Sequence, residues 1–305
     1  MKKVLITGTV AFDDIETPAG SSGKIIGGAG TYIGLASSLL TQNLAIVSII
    51  GEDFPEEEIK FLNNRGINTE MIEKVIGGKT FYWKGKYHDN MISRDTLATE
   101  LNVLEKFNPV LNSDFSSSEI ILLGNLHPAV QNAVINQSTN PESFIIMDTM
   151  NFWMDNALDE LLSVIKKVNF IIINDEEAEQ LTGEKNIFNA GEKMLKMGPT
   201  KVIIKKGEHG AIYLDGNNKF ILPAFPVTRL VDPTGAGDSF AGGIAGLLST
   251  KNKTGFEEIK EAMIYGTLTA SFCVESFGVE GLRKLDKETL NNRLEIFKSY
   301  LTYFS

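Results

Sequence analysis

Val231-Asp232-Pro233-Thr234-Gly235-Ala236-Gly237-Asp238-Ser239-Phe240-Ala241-Gly242-Gly243 is the stretch on which the reading of the fold turns. Pro233 stops any strand before it, Gly235 and Gly237 let the chain bend, and the small and apolar residues that follow predict a helix. Gly235 to Asp238 therefore belong at a helix N-terminus. Unpaired amides in succession and the positive end of the helix dipole make such a place favourable for phosphate, or for charge that develops as phosphate moves. Asp238 gains from the same field: it is expected to stay ionised at neutral pH, and a hydroxyl that reaches it could be oriented and deprotonated. An isolated G-x-G-D reads more readily as a tight loop with a favourable first-turn acid. The string from Asp232 to Phe240 is far longer than that.

Outward from this turn, short β-branched runs alternate with longer amphipathic stretches, the pattern of a parallel sheet connected by crossover helices. Strands are expected at 3–7, 44–50, 119–123, 144–148, 170–174, 201–205, 211–214 and 219–222. Helices are expected at 31–40, 55–65, 157–167, 176–181, 188–197, 238–248, 256–272 and 287–301. Ile120 to Leu123 and Phe170 to Ile173 are apolar without alternation, which suits strands covered on both faces, so the sheet is central and the class is α/β. No repeat or Pro-rich linker divides the chain, and a single domain over 1–305 is the economical organisation. Two segments fit the alternation poorly. One is 11–26, rich in Gly, Ser and Asp; the other is 77–95, where Lys79 to Tyr87 alternates at period two. That register puts Phe81, Trp83 and Tyr87 on one face and Thr80, Tyr82, Lys84 and Lys86 on the other, a small secondary sheet that is either an edge layer, a lid or a dimer surface.

Composition narrows the classes. With 29 basic against 39 acidic residues the net charge is −10, so there is no cationic footprint for nucleic acid. One cysteine, Cys273, makes no internal disulfide, and with three histidines it offers no zinc spacing; it reads as a small buried hydrophobe. No apolar run approaches the ~18 residues of a membrane span, and the expected location is the cytoplasm.

The long turn resembles the second signature of the PfkB/ribokinase-like family of carbohydrate and nucleoside kinases. Gly8 to Asp13 resembles that family's first strand and its substrate-binding acid, Gly27-Gly28-Ala29-Gly30 its diglycine signature, Gly51-Glu52-Asp53 its G-x-D, and Asn174-Asp175-Glu176-Glu177 its N-x-x-E. The matches run in family order. The resemblance implies a three-layer sandwich with a central, mostly parallel sheet and a β lid over the substrate cleft, and the two odd segments fall where the lid belongs. It implies transfer of the γ-phosphoryl group of ATP to a hydroxyl of a sugar, with a nucleoside as the alternative acceptor.

The same resemblance assigns roles. Asp238 is the base, and Gly235, Ala236 and Gly237 form the anion hole. Asp13, Gly27 and Gly28 bind the acceptor. Tyr32 stands where ribokinases carry a sugar-binding asparagine, which turns the reading away from ribose and toward an aromatic that stacks on a base or sugar face. Asn174 and Glu177 position Mg2+ through water, although the pair also reads as a helix N-cap with a first-turn acid. Lys205, Gly207 and Gly210 lie at the nucleotide, and Asp232 with Thr234 resembles a monovalent-cation site, with K+ as the cation. Arg94, His88, His127, Trp83 and Trp153 are candidates by position alone.

Other classes compete. A Walker-type loop would need glycine at 73 before Gly78-Lys79-Thr80, and that residue is Glu73; a dinucleotide fingerprint starting at Gly235 would need glycine where Phe240 stands. A non-catalytic sensor of nucleotide or sugar is the reading that retention of Asp238 argues against. A homodimer paired through the lid is expected if the aromatic face of Phe81, Trp83 and Tyr87 is not covered by its own chain.

Overall fold

The computed structural model describes residues 1–301. Its core is a ten-stranded sheet running from Lys219–Leu222 at one edge through Ala211–Leu214, Lys201–Lys205, Phe170–Asn174, Phe144–Met147, Ile120–Leu123, Val4–Thr7 and Leu44–Gly51 to Ile67–Asn68, with Ile72–Val75 also paired to Leu44–Gly51. Pairing is parallel throughout except at Ala211–Leu214 and Lys219–Leu222, which close one edge as antiparallel strands.

Alternate side chains of each strand enter opposite cores, as the pleat requires. Ile6, Ile46, Leu122, Ile146 and Ile172 pack against the helices Ala29–Ser38, Ala236–Ser249, Phe256–Cys273 and Lys287–Leu301. Leu5, Val47, Ile121, Met147 and Ile171 face Pro128–Gln137, Leu158–Ile165, Asp175–Thr182 and Ile187–Leu195. The result is three layers, helix, sheet and helix. Among the described residues no helix is long and apolar enough to cross a membrane.

The two odd segments form a separate four-stranded sheet of Gly20–Gly27, Ala11–Thr17, Tyr82–Tyr87 and Arg94–Glu100, so the second segment runs on past Asp95. Its outer face carries Asp14, which accepts from Tyr82 at 3.2 Å and from Lys84 at 3.3 Å. Thr80 departs from the expected register: it lies ahead of the strand and is buried where the small sheet joins the core, its amide and hydroxyl both donating to Asp53 and its Oγ1 accepting from the Gly51 amide at 2.9 Å. The inner face carries Asp13, Trp83 and Tyr87. The premise of an uncovered aromatic face is corrected here, because Tyr87 is buried against the chain's own Thr234, whose Oγ1 donates to its hydroxyl at 3.1 Å.

Candidate active site

Parallel sheets present ligands at the carboxyl ends of their strands, where the chain turns into helices. Here the Phe144–Met147, Phe170–Asn174 and Lys201–Lys205 strands lie side by side and deliver Asp148, Asn174 and Lys205 to one rim. The turn ahead of Ala236–Ser249 closes over that rim, with Gly235 as the N-cap. The helix begins two residues earlier than expected, so Ala236, Gly237 and Asp238 form its first turn and their amides have no carbonyl four residues back inside the helix.

Gly235 has φ +75, a left-handed geometry that favours glycine, and a Cβ there would sit 2.4 Å from the Tyr32 ring. This close approach corrects the expectation for Tyr32. The side chain is 1% exposed beneath the turn, its hydroxyl has no hydrogen-bond partner, and it offers no face to an acceptor. Tyr32 packs directly beneath this turn.

Asp232 is fully buried. One carboxylate oxygen accepts from the Thr234 amide at 2.8 Å and the other from the Gly278 amide at 2.9 Å, which ties the turn to the loop after Phe256–Cys273. Cys273, also fully buried, donates its thiol to the Thr234 carbonyl at 3.4 Å, and burial pushes that thiol's pKa well up, as suits an inert core group.

Asp238 faces a crowded electrostatic field. Burial and the neighbouring Asp148 push its carboxyl up to about 7, against the pull of Lys205 and Arg94. It is therefore not held firmly ionised at neutral pH, as the helix dipole alone had suggested; desolvation outweighs the dipole. Glu177 rises to about 7 mainly through burial, with Lys205 opposing. Lys205 keeps a raised pKa despite its own burial because Asp148, Glu177 and Asp238 surround it. Its Nζ stands 3.4 Å from Asp148 Oδ1 and lies where a Cβ on Gly237 would meet it at 2.8 Å. Asp148 was not singled out in the sequence; the available signal was an acid directly after an apolar strand, in line with Asn174 and Lys205.

Asn174 and Glu177 form a reciprocal capping box, with the Glu177 amide donating to Asn174 Oδ1 at 2.8 Å and the Asn174 amide donating to Glu177 Oε2 at 2.7 Å. Among the described residues no group of three or more His, Cys, Asp or Glu is arranged to hold a metal ion. Gly207 and Gly210, expected at the nucleotide, differ in surroundings. Gly207 has open space where a side chain would stand, whereas a Cβ on Gly210 would strike the Leu222 carbonyl at 2.0 Å, so Gly210 answers to the adjacent strand rather than to a ligand.

At the other end of the cleft, Asp13 is 5% exposed and accepts a hydrogen bond from the Gly28 backbone; burial and the nearby Asp232 push its carboxyl up to about 7. A Cβ on Gly27 would lie 1.8 Å from Asp13 Oδ2, so the diglycine leaves room for this carboxylate. Trp83 pairs with Asp13 in register and lies across Gly85, with Arg94 over it at 5.8 Å. Arg94 acts on Asp238, Glu177 and Tyr87, so the small sheet brings one cation to the cleft. His127, Trp153 and His88 have local partners: His127 Nδ1 accepts from the Ala129 amide, Trp153 donates to Asn125, and His88 pairs with Asp95.

A model of the pfkB family of carbohydrate kinases matches residues 7–284. The chain belongs to that family. It is a phosphotransferase with an alcohol as acceptor. Its sequence is 24% identical over 249 residues to a cytidine kinase of Thermococcus kodakarensis, covering 80% of this chain and 87% of the relative. It is 25% identical over 297 residues to a nucleoside kinase of Methanocaldococcus jannaschii, covering 92% and 93%. In fold it is similar to a putative ribokinase II of E. coli solved with ATP and Mg2+, with TM-score 0.81 at 19% identity over 97% of this chain and 100% of that one.

Proposed function

We propose that this chain transfers the γ-phosphoryl group of ATP to a hydroxyl of a polyhydroxylated ring, either a sugar or the sugar part of a nucleoside. The observation that carries the reading is Asp238 in the first helical turn, beside the Gly237 amide and the Lys205 ammonium, while the Ala236 amide also donates to the Pro233 carbonyl at 3.2 Å. Phosphoryl transfer asks mainly for positioning and charge stabilisation, and this arrangement supplies both. Asp238 takes the proton of the attacking hydroxyl. The amides of Ala236 and Gly237, with Lys205, receive the negative charge of the terminal phosphate. Asp13, buried and able to accept from two hydroxyls, selects the acceptor, because an analogue lacking one of them leaves a buried carboxylate unpaired.

Magnesium supplies charge neutralisation on the phosphates. Asn174 and Glu177, whose oxygens suit Mg2+, would hold the ion through water, since Mg2+ keeps much of its hydration. A K+ ion beside Asp232 and Thr234 belongs to the same proposal: among the described residues Asp232 is a fully buried carboxylate with two amide donors and no ion-pair partner. Replacing K+ by tetramethylammonium is expected to lower kcat.

One feature favours a nucleoside over a free sugar. Trp83 is the register partner of Asp13 on the inner face of the small sheet and lies against Gly85 with Arg94 5.8 Å over its ring, so an aromatic stands beside the carboxylate that would hold the ribose and could stack a base if Arg94 swings aside. The test is a screen of pentoses, hexoses, sugar phosphates and nucleosides with ADP formation as readout. Turnover with at least one class is expected, nucleosides above free pentoses; no ADP above background with any of them would overturn the reading. A homodimer through the lid rests on the exposed strand Arg94–Glu100, with Leu97 51% exposed on an open edge. Light scattering tests it, with a clean monomer as the contrary result.

A further inference from the structure

Asp148 presents a problem for a phosphate site. A carboxylate at the rim that receives ATP repels the ligand, unless it has another task. Its backbone is pinned: the amide donates to the Leu123 carbonyl at 2.9 Å, and the carbonyl accepts at 3.0 Å from Gln131, a fully buried side chain that also donates to the Gly124 carbonyl. Its side chain is 10% exposed and meets Lys205, 17% exposed, at 3.4 Å. This is not a surface pair of little consequence; both charges are largely out of water, and each is costly without the other.

Lys205 has a flexible four-carbon stem and a point charge. Three carboxylates, Asp148, Glu177 and Asp238, act on it. Drawn to Asp238, the ammonium would sit on the base and block the hydroxyl that must reach it. Drawn to Glu177, it would leave Gly237. Only the pairing with Asp148 keeps it where a Cβ on Gly237 would touch it, in front of the first-turn amides.

We propose that Asp148 is a positioning residue, which holds the Lys205 ammonium before the anion hole and away from Asp238. The inference rests on the kinase reading above. It assigns Asp148 no contact with substrate; its effect passes through Lys205.

The test is a double-mutant cycle on the full chain: wild type, Asp148→Asn, Asp148→Ala, Lys205→Met and Asp148→Ala/Lys205→Met. Calorimetric titration with Mg·AMP-PNP reads nucleotide binding without an acceptor, and initial rates with the best acceptor from the screen read turnover. Asp148→Ala is expected to lower kcat about tenfold or more while the Mg·AMP-PNP Kd stays within about threefold, the signature of an interaction needed in the transition state. Asp148→Asn, whose amide oxygen still accepts from the ammonium, is expected to recover part of that loss. Added to Lys205→Met, Asp148→Ala is expected to cost nothing more. Additive losses would overturn the inference, because Asp148 would then act independently of Lys205. So would a severalfold rise in the Mg2+ requirement of Asp148→Asn, which would place the residue on the metal. A wild type that binds Mg·AMP-PNP and turns over, with additive mutants, leaves the kinase reading standing without this inference; a wild type that neither binds nor turns over overturns both.

Discussion

Asp13, Glu177 and Asp238 all have their carboxyl groups pushed up to about 7, in each case first by burial. The consequence for stability has a definite sign. Between the ordinary carboxylate range and pH 7 the folded, unliganded chain holds protons that the unfolded chain has released, so stability falls as pH rises through that window. The unliganded protein is expected to melt at a higher temperature at pH 6 than at pH 8, measured at constant ionic strength; a midpoint that rises between those values would contradict the burial of these three groups. Asp238→Asn removes one of the charges and is expected to narrow the difference. Gly27→Ala belongs to the same scale. A methyl 1.8 Å from Asp13 Oδ2 forces the carboxylate aside, and the acceptor KM is expected to rise tenfold or more, about 1.4 kcal/mol, with nucleotide affinity unchanged. An unchanged acceptor KM would take Asp13 out of acceptor binding.

At the scale of elements, the small sheet is tied to the 231–238 turn at two points: Thr17 donates to the Val231 carbonyl at 2.9 Å, and Thr234 donates to the Tyr87 hydroxyl at 3.1 Å. The segment leading into Tyr82–Tyr87 is tied to the core through Thr80 and Asp53. Tyr87→Phe removes one acceptor and is expected to cost about 0.5–1.5 kcal/mol of stability. Initial rates of the same variant should fall severalfold, since the turn that carries Asp238 loses its support from the lid; rates equal to wild type would show that the bond does not couple them. Gly235→Ala is harsher. It forces a side chain into a left-handed position and against the Tyr32 ring, so loss of turnover with a lowered melting temperature is expected.

Across the whole molecule, the strands were legible because they are apolar runs without alternation, and each observed core strand from Ile120–Leu123 to Lys219–Leu222 lies at its expected place. The helices Pro128–Gln137, Asn151–Asn156 and Glu280–Lys284 were not. Pro128–Gln137 carries Asn132, Gln131 and Gln137 and is started by the His127 side chain, which no periodicity announces. Ile67–Asn68 and Ile72–Val75 exist through pairing with Leu44–Gly51 rather than through any pattern of their own. In the site, the turn stood out because its spacing and composition are both unusual, whereas Asp13 entered only through the family resemblance and on its own reads as a turn acid beside Asp14. The burial of Tyr32, the crowding of Gly210 and the pairing of Asp148 with Lys205 arise only when distant segments meet, and a linear pattern does not carry them. The measurement that bears most directly on the account is ADP formation by wild type and Asp238→Asn with MgATP and the best acceptor, beside calorimetric binding of Mg·AMP-PNP to both. The account predicts retained binding with turnover lowered by about 10²–10⁴-fold, the range for loss of a general base; equal turnover by the two proteins would contradict it.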